Sequence, residues 1–133
     1  MLDHVFLTVA DTQRAIAFYS HVLPLLGIDR RLDYDGRQGP PGHPDLKGFG
    51  AGGRVFFWLR HGVPAPQAVH VGFAAASTAQ VDAAFAAALD AGATVMHLPG
   101  AQLHYDRRYY AAQVRDLDGY SLEFVHKPWQ HGG

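Results

Sequence analysis

The chain has no cysteine among its 133 residues. That removes disulfides, thiolate metal ligands and cysteine nucleophiles from consideration. It also fits a reducing compartment, so cytoplasmic residence is the expectation. Net charge is nearly absent: 11 basic side chains oppose 12 acidic ones, and the formal value of −1 gives no electrostatic reason to bind nucleic acid or an anionic membrane. Apolar runs such as "AAFAAAL" fall far short of the roughly 20 residues that a bilayer-spanning helix needs. The opening "MLDHVF" shows neither the basic n-region nor the apolar h-region of a secretion signal. A phosphate loop, a nucleophile elbow and a basic–aromatic stripe are missing as well. What the sequence does have is histidine, in nine copies. Imidazole is both a metal ligand and a proton carrier near neutral pH, so each copy is a candidate for chemistry.

Two of the nine open the same phrase. "DHVFLTV" begins at residue 3 and "VHVGFAA" at residue 69, which places His4 and His70 66 positions apart, about half the chain. Both phrases read as strands rich in β-branched and aromatic residues. The first leads through Asp11, an N-cap, into a helix "TQRAIAFYSHV" with Ala15, Ile16, Tyr19, Val22 and Leu23 at helical spacing, closed by Pro24 and Gly27. Strands are predicted at 28–34, 46–51 and 54–60, with a Gly/Pro-rich loop between the first two and the turn Gly52–Gly53 between the last two. After "HGVPAPQA" the order recurs. A helix opens at the capping box Ser77–Gln80, carries Val81, Phe85, Ala88 and Leu89, and ends at Gly92; strands follow at 94–98, 109–116 and 120–125. The halves are therefore both β-α-β-β-β: residues 1–61, a linker at 62–68, residues 69–127, and a tail at 128–133. Offsets of 66 (Gly53 to Gly119) and 65 (Gly27 to Gly92) support a tandem duplication.

In a β-α-β-β-β unit the helix covers one sheet face and leaves the other free. Duplication symmetry would bring the free-face residues His4 and His70 together across a pseudo-two-fold axis. Glu123 sits in the apolar segment "YSLEFV", where an unpaired carboxylate is costly to bury. Two imidazoles and one carboxylate converging in a cavity would make a divalent metal site with open positions. The plainer alternatives are an edge position for His4, a strand-start role for His70, and an ion pair of Glu123 with Arg54 or Arg115. Along "YYAAQVRD" Tyr109 and Gln113 share the parity that faces the cavity. His104 and Tyr105, in the preceding loop, are a candidate lid, and His104 is a candidate proton carrier together with Tyr109 or Tyr110. Phe57 and Tyr110 are candidate pocket-lining residues. His97 reads as packing; His21, His43, His61, His126 and His131 read as surface.

The two modules, the first-strand histidines and above all the strand-turn-strand "YYAAQVRDLDGYSLEF" resemble the vicinal oxygen chelate superfamily. That superfamily includes glyoxalase I, fosfomycin-resistance thiol transferases, extradiol dioxygenases and bleomycin-resistance proteins. The resemblance covers nearly the whole chain, with Leu117 in place of the usual turn proline. It implies an α+β fold of paired modules forming a curved mixed sheet around a central cavity. It further implies His4, His70 and Glu123 as ligands to one divalent ion (iron, manganese, nickel or zinc). Glyoxalase I has a second carboxylate on the fourth strand of its first module; subtracting 66 from 123 lands on Phe57, which argues against that activity. The expectation is a homodimeric metal-dependent enzyme acting on a small oxygenated or aromatic substrate. The rival is a metal-free protein that sequesters a planar small molecule.

Overall fold

Helix caps and two glycine turns divide the chain where the hydrophobic pattern suggests. The computed structural model describes residues 1–131; Gly132, Gly133 and the His131 side chain, all in the expected tail, lie outside the described residues. Strand β1 (Val5–Val9) leads into helix α1 (Thr12–Val22), whose first turn is capped by the Asp11 carboxylate accepting from the Arg14 amide at 3.1 Å. Ala15, Phe18, Tyr19 and Val22 form its buried stripe. A single turn of tighter helix (Leu23–Leu26) ends at Gly27, whose φ of 80° is the left-handed geometry that glycine adopts without strain. Strands β2 (Arg30–Tyr34), β3 (Leu46–Ala51) and β4 (Arg54–His61) complete the first module. The second repeats the plan with β5 (His70–Ala74), α2 (Thr78–Asp90), β6 (Thr94–Ala101), β7 (Tyr110–Arg115) and β8 (Ser121–His126), and a short helix α3 (Pro128–His131) follows.

At the start of α2 the Ser77 hydroxyl accepts from the Gln80 amide at 3.1 Å, while the Gln80 side chain reaches back to the Ala76 amide at 2.8 Å. Its buried stripe is Val81, Ala84, Phe85 and Ala88. Leu89, expected inside, is 36% exposed, because the helix is rotated so that alanines lie against the sheet.

Each module forms a four-stranded mixed sheet, in the orders β1-β4-β3-β2 and β5-β8-β7-β6. The first strand of each module lies at one edge of its sheet, parallel to the fourth beside it, and the β-α-β crossover that follows it places each helix on one face. Both helix-covered faces contribute to one core: Leu7, Phe18, Tyr19, Phe49, Phe57 and Leu59 from the first module join Phe73, Phe85, Leu122 and Phe124 from the second. Phe57 and Phe73 meet edge to face across the boundary, 5.2 Å between centroids.

Polar contacts fix the boundary as well. The buried Tyr19 hydroxyl donates to Asp116 in the β7–β8 turn. The second Asp116 oxygen accepts the amides of Asp118 and Tyr120, both at 2.9 Å. The Tyr120 hydroxyl then donates to the Thr8 carbonyl at 2.6 Å. Burial pushes the Asp116 carboxyl above its ordinary 3.8, and burial together with the neighbouring Asp116 holds the Tyr19 hydroxyl well above 10.

Backbone pairing corrects the internal register. Val5 stands opposite Phe57, whereas the equivalent Val71 stands opposite Leu122. Phe57 is therefore the counterpart of Leu122, and the counterpart of Glu123 is Trp58. The 66-residue offset taken from Gly53 and Gly119 fails on the fourth strands because β4 carries one residue that β8 lacks. A bulge at Phe56 separates the pairs Gly50–Val55 and Phe49–Phe57, whereas the β7–β8 ladder is regular from Arg115–Ser121 to Gln113–Glu123, and strand pairing sets the register. Phe57 belongs to the helix side, packed on Tyr19 and Phe49 at 4.9 and 6.1 Å and only 1% exposed.

Candidate functional site

The free face of the second module carries one polar cluster built around a buried carboxylate. Glu123 lies mid-β8, between Leu122 and Phe124, which point into the core. Alternation thus turns the glutamate to the other face, where it is 7% exposed. A carboxylate so placed needs partners, and it has three. His70 Nε2 lies 3.0 Å from Oε1, the Tyr109 hydroxyl donates to Oε2 at 2.6 Å, and the Gln113 amide donates to Oε1 at 3.4 Å. Gln113 is directly opposite Glu123 in the antiparallel β7–β8 ladder, which accounts for that contact. Burial first, then the hydrogen bond to Glu123, raises the Tyr109 hydroxyl far above 10, so it stays protonated and donates.

His70 opens β5 and sits opposite Ser121, whose hydroxyl is 2.7 Å from Nδ1. A hydroxyl can give or take a proton, so Ser121 supports either neutral tautomer and leaves Nε2 free to donate to Glu123 or to present its lone pair. Between His70 and Phe73 on the same strand, Gly72 stands opposite Glu123, and a Cβ built there meets nothing within 4 Å. The space beside the carboxylate is open. A cavity of about 750 Å³ adjoins His70 and Gly72, and Val5, Phe56, Val71 and Phe73 give it a mainly apolar wall. That volume suits a small organic molecule.

The other sequence candidates are placed as follows. His4 precedes β1, pairs with Asp3 at 2.6 Å and meets the Phe6 ring edge to face at 5.2 Å. It does not join His70 and Glu123: among the described residues no three His, Asp or Glu side chains are grouped to hold a metal ion. Arg54 engages the Leu2 and Asp3 carbonyls and Arg115 the Gly119 carbonyl, so neither is the partner of Glu123. Tyr110 is not on the site's face, since its hydroxyl donates to Asp82 of α2 at 2.6 Å; successive residues of a strand alternate, and Tyr109 holds the site side. Phe57 lines the cavity while remaining part of the core. His104 is an exposed loop residue whose ring lies 4.1 Å from that of Tyr105, two rings away from Glu123 through Tyr105 and Tyr109.

Two residues near the site, Ser121 and Trp129, were not singled out by the sequence. Ser121 is an ordinary strand serine whose role appears only in the parallel register. Tyr105 and Trp129 extend the aromatic environment of Tyr109, at 5.0 and 6.5 Å between centroids.

The donor set fits a divalent ion in part. An imidazole nitrogen and a carboxylate oxygen 3.0 Å apart, each oriented by a further hydrogen bond, are a pair that such an ion can bridge. Two protein ligands are one short of the expected three.

The profile of the Glyoxalase/Bleomycin resistance protein/Dioxygenase superfamily matches residues 1–124. The chain belongs to this superfamily. A glyoxalase/bleomycin resistance protein from Albidiferax ferrireducens T118 is 27% identical, with a TM-score of 0.76 over 96% of this chain and 99% of that one. The fosfomycin resistance protein FosX from Listeria monocytogenes is 16% identical, with a TM-score of 0.68 over 96% and 93% of the two chains. TioX from Micromonospora sp. ML1 is 19% identical, with a TM-score of 0.60 over 93% and 94%. At the identities of the last two, the likeness is one of fold. No curated protein matches the sequence. Among the described residues no helix is long and apolar enough to cross a membrane.

Proposed function

We propose that this superfamily member is a metal-dependent enzyme of the glyoxalase/dioxygenase type acting on a small oxygenated or aromatic substrate. Its ligands would be His70 and Glu123 of one copy and His4 of a second copy in a homodimer. The observation that carries this reading is the convergence of His70 and Glu123 beside the open space over Gly72. The second copy enters because the modules are structural repeats. The first strand of one molecule can stand to the second module of another as it would to its own, and a two-fold axis then makes two equivalent sites.

A divalent ion held there supplies Lewis acidity toward substrate oxygens. The protein supplies orientation. Tyr109 and Gln113 fix the Glu123 carboxylate, Ser121 fixes the imidazole of His70, and the apolar cavity wall excludes water from the bound molecule. No residue offers the second carboxylate of a glyoxalase: the position equivalent to Glu123 is Trp58, and Phe57 beside it is core. Hemithioacetal isomerisation is therefore expected to be negligible in metal-loaded protein.

A second reading has an observation of its own. Glu123 is fully hydrogen-bonded without any ion, which suits a metal-free binding protein of the bleomycin-resistance kind. Calorimetric titration of chelator-treated protein with iron, manganese, nickel and zinc separates the two. Binding of about one ion per chain by at least one metal, lost in Glu123→Gln, supports the enzyme; no binding across the panel leaves the binder.

A further inference from the structure

We infer that Ser121, His70 and Glu123 form a nucleophilic triad that hydrolyses small carboxylic esters when no ion occupies the site. This goes beyond the proposed function, because His70 and Glu123 act here without a metal.

The three side chains already stand in the order that acyl transfer needs. Ser121 and Glu123 are two residues apart on β8 and share its free face, and β5 sets His70 beside them. Ser121 Oγ is 2.7 Å from Nδ1 of His70, and Nε2 of the same ring is 3.0 Å from Glu123 Oε1. A carboxylate only accepts, so Nε2 carries the imidazole proton and Nδ1 turns its lone pair to the serine hydroxyl. Nucleophile, base and carboxylate in sequence make a serine triad, which is recognised by geometry and not by chain position. The ring is turned end for end relative to the protease arrangement, with the carboxylate at Nε2; either nitrogen serves as the base.

The surroundings supply the rest. Tyr109 and Gln113 hold Glu123 from its other sides at 2.6 and 3.4 Å, so the carboxylate keeps its direction. Ser121 is half-buried and the His70 side chain is 48% exposed, which leaves the pair within reach of a substrate. The cavity that adjoins His70 has the mainly apolar wall that suits the body of a small ester. Arg115 stands directly opposite Ser121 in the β7–β8 ladder. Its one hydrogen bond goes to a neutral group, the Gly119 carbonyl at 3.1 Å, so its positive charge remains for the oxyanion.

The reaction balances with water alone. Ser121 Oγ bonds to the ester carbonyl carbon as its proton passes to Nδ1, and the carbonyl π pair moves onto oxygen. That pair returns, the bond to the alkoxy oxygen breaks, and Nδ1 hands the proton to the departing alcohol. Water then attacks the acyl-serine by the same route, and the acid leaves.

Hydrolysis of p-nitrophenyl acetate by chelator-treated protein tests the inference, together with labelling by phenylmethanesulfonyl fluoride, which leaves a stable sulfonyl group on an activated serine. The expected result is turnover that stops on labelling, with peptide mass spectrometry placing the sulfonyl group on Ser121. Ser121→Ala and His70→Gln should each lose at least about a hundredfold in rate, with circular dichroism confirming the fold. Glu123→Gln should lower kcat at least about tenfold with KM within about twofold, because the carboxylate acts through His70. Turnover no faster than in buffer, turnover that survives Ser121→Ala, or a label on any other residue would overturn the triad. Zinc titration of the same chelator-treated protein keeps the two readings apart. Ser121 labelled with no zinc bound upholds the triad alone; about one zinc bound per chain, with Ser121 unlabelled in the metal-free sample, overturns the triad and upholds the metal reading.

Discussion

The free faces of the two modules are built on one backbone plan and filled in opposite ways. On the second, Gly72, Glu123 and Gln113 stand side by side across β5, β8 and β7. On the first, the same three places hold Phe6, Trp58 and Gly48 across β1, β4 and β3. The residue sizes are reversed along with the polarity. Trp58 lies flat on the chain at Gly48, so that a Cβ there would come within 2.6 Å of the indole. Phe6 packs against His4 on one side and lies 5.8 Å from the Arg60 guanidinium on the other. The first face is filled by its own aromatic rings, whereas the second keeps open space beside a hydrogen-bonded carboxylate. Duplication supplies two equal frameworks; which one can take a ligand depends on where glycine falls.

Substitutions at the matched positions should break this asymmetry most sharply. Glu123→Gln preserves shape and most hydrogen bonding but removes the anionic ligand, so metal affinity should fall at least about a hundredfold with little change in thermal midpoint. Trp58→Phe, at the equivalent place, should leave metal affinity within about twofold. Calorimetric titration of the two variants side by side reads the contrast, and equal losses would mean that the faces are not functionally distinct.

The boundary between the modules should respond next. Asp116→Ala leaves the Tyr19 hydroxyl and the amides of Asp118 and Tyr120 without their acceptor in a buried place, which should cost about 2–4 kcal/mol. Asp116→Asn keeps an acceptor for the amides and should lose clearly less. Urea unfolding measures both, and an alanine variant as stable as wild type would show that the contact does not hold the modules together.

Filling the open space is a gentler change. Gly72 has no positive φ and nothing near its missing Cβ, so Gly72→Val should fold at least as stably as wild type. It should weaken small-molecule binding beside Glu123 about tenfold, as read by dialysis. Unchanged binding would place the ligand elsewhere.

Smallest is the effect of pH on the boundary. Burial raises the Asp116 carboxyl above 3.8, so the folded protein holds this proton more tightly than the unfolded chain does. Its contribution to stability is full below 3.8 and is lost as pH rises through the folded value. Wild type should therefore gain on Asp116→Asn as pH is lowered toward 4. A thermal-midpoint series at constant ionic strength shows the sign.

These residues were unequally legible in the sequence. Glu123 stood out because a carboxylate in an apolar strand needs a reason, and period-two alternation along "YYAAQVRD" placed Gln113 and Tyr109 on its face. The same alternation turns Tyr110 away from the pocket, and its hydroxyl donates to Asp82. A constant offset misplaces the counterpart of Glu123 by one residue because the bulge at Phe56 adds a residue to β4, and a bulge shows only in the strand pairing. The Tyr19–Asp116 contact joins residues 97 positions apart through tertiary packing, which no local pattern encodes. Trp129 likewise reaches Tyr109 only through the fold.

The central claim is that the site belongs to the second module and is completed by His4 of another copy. Differently tagged His4→Ala and His70→Ala chains, co-expressed and purified through both tags, test it directly. Each variant alone should carry less than about a tenth of the wild-type metal. The mixed dimer has one site with both histidines and one with neither, so it should recover about half. Recovery to that level is the predicted result; a mixed dimer as metal-poor as its parents would contradict the account.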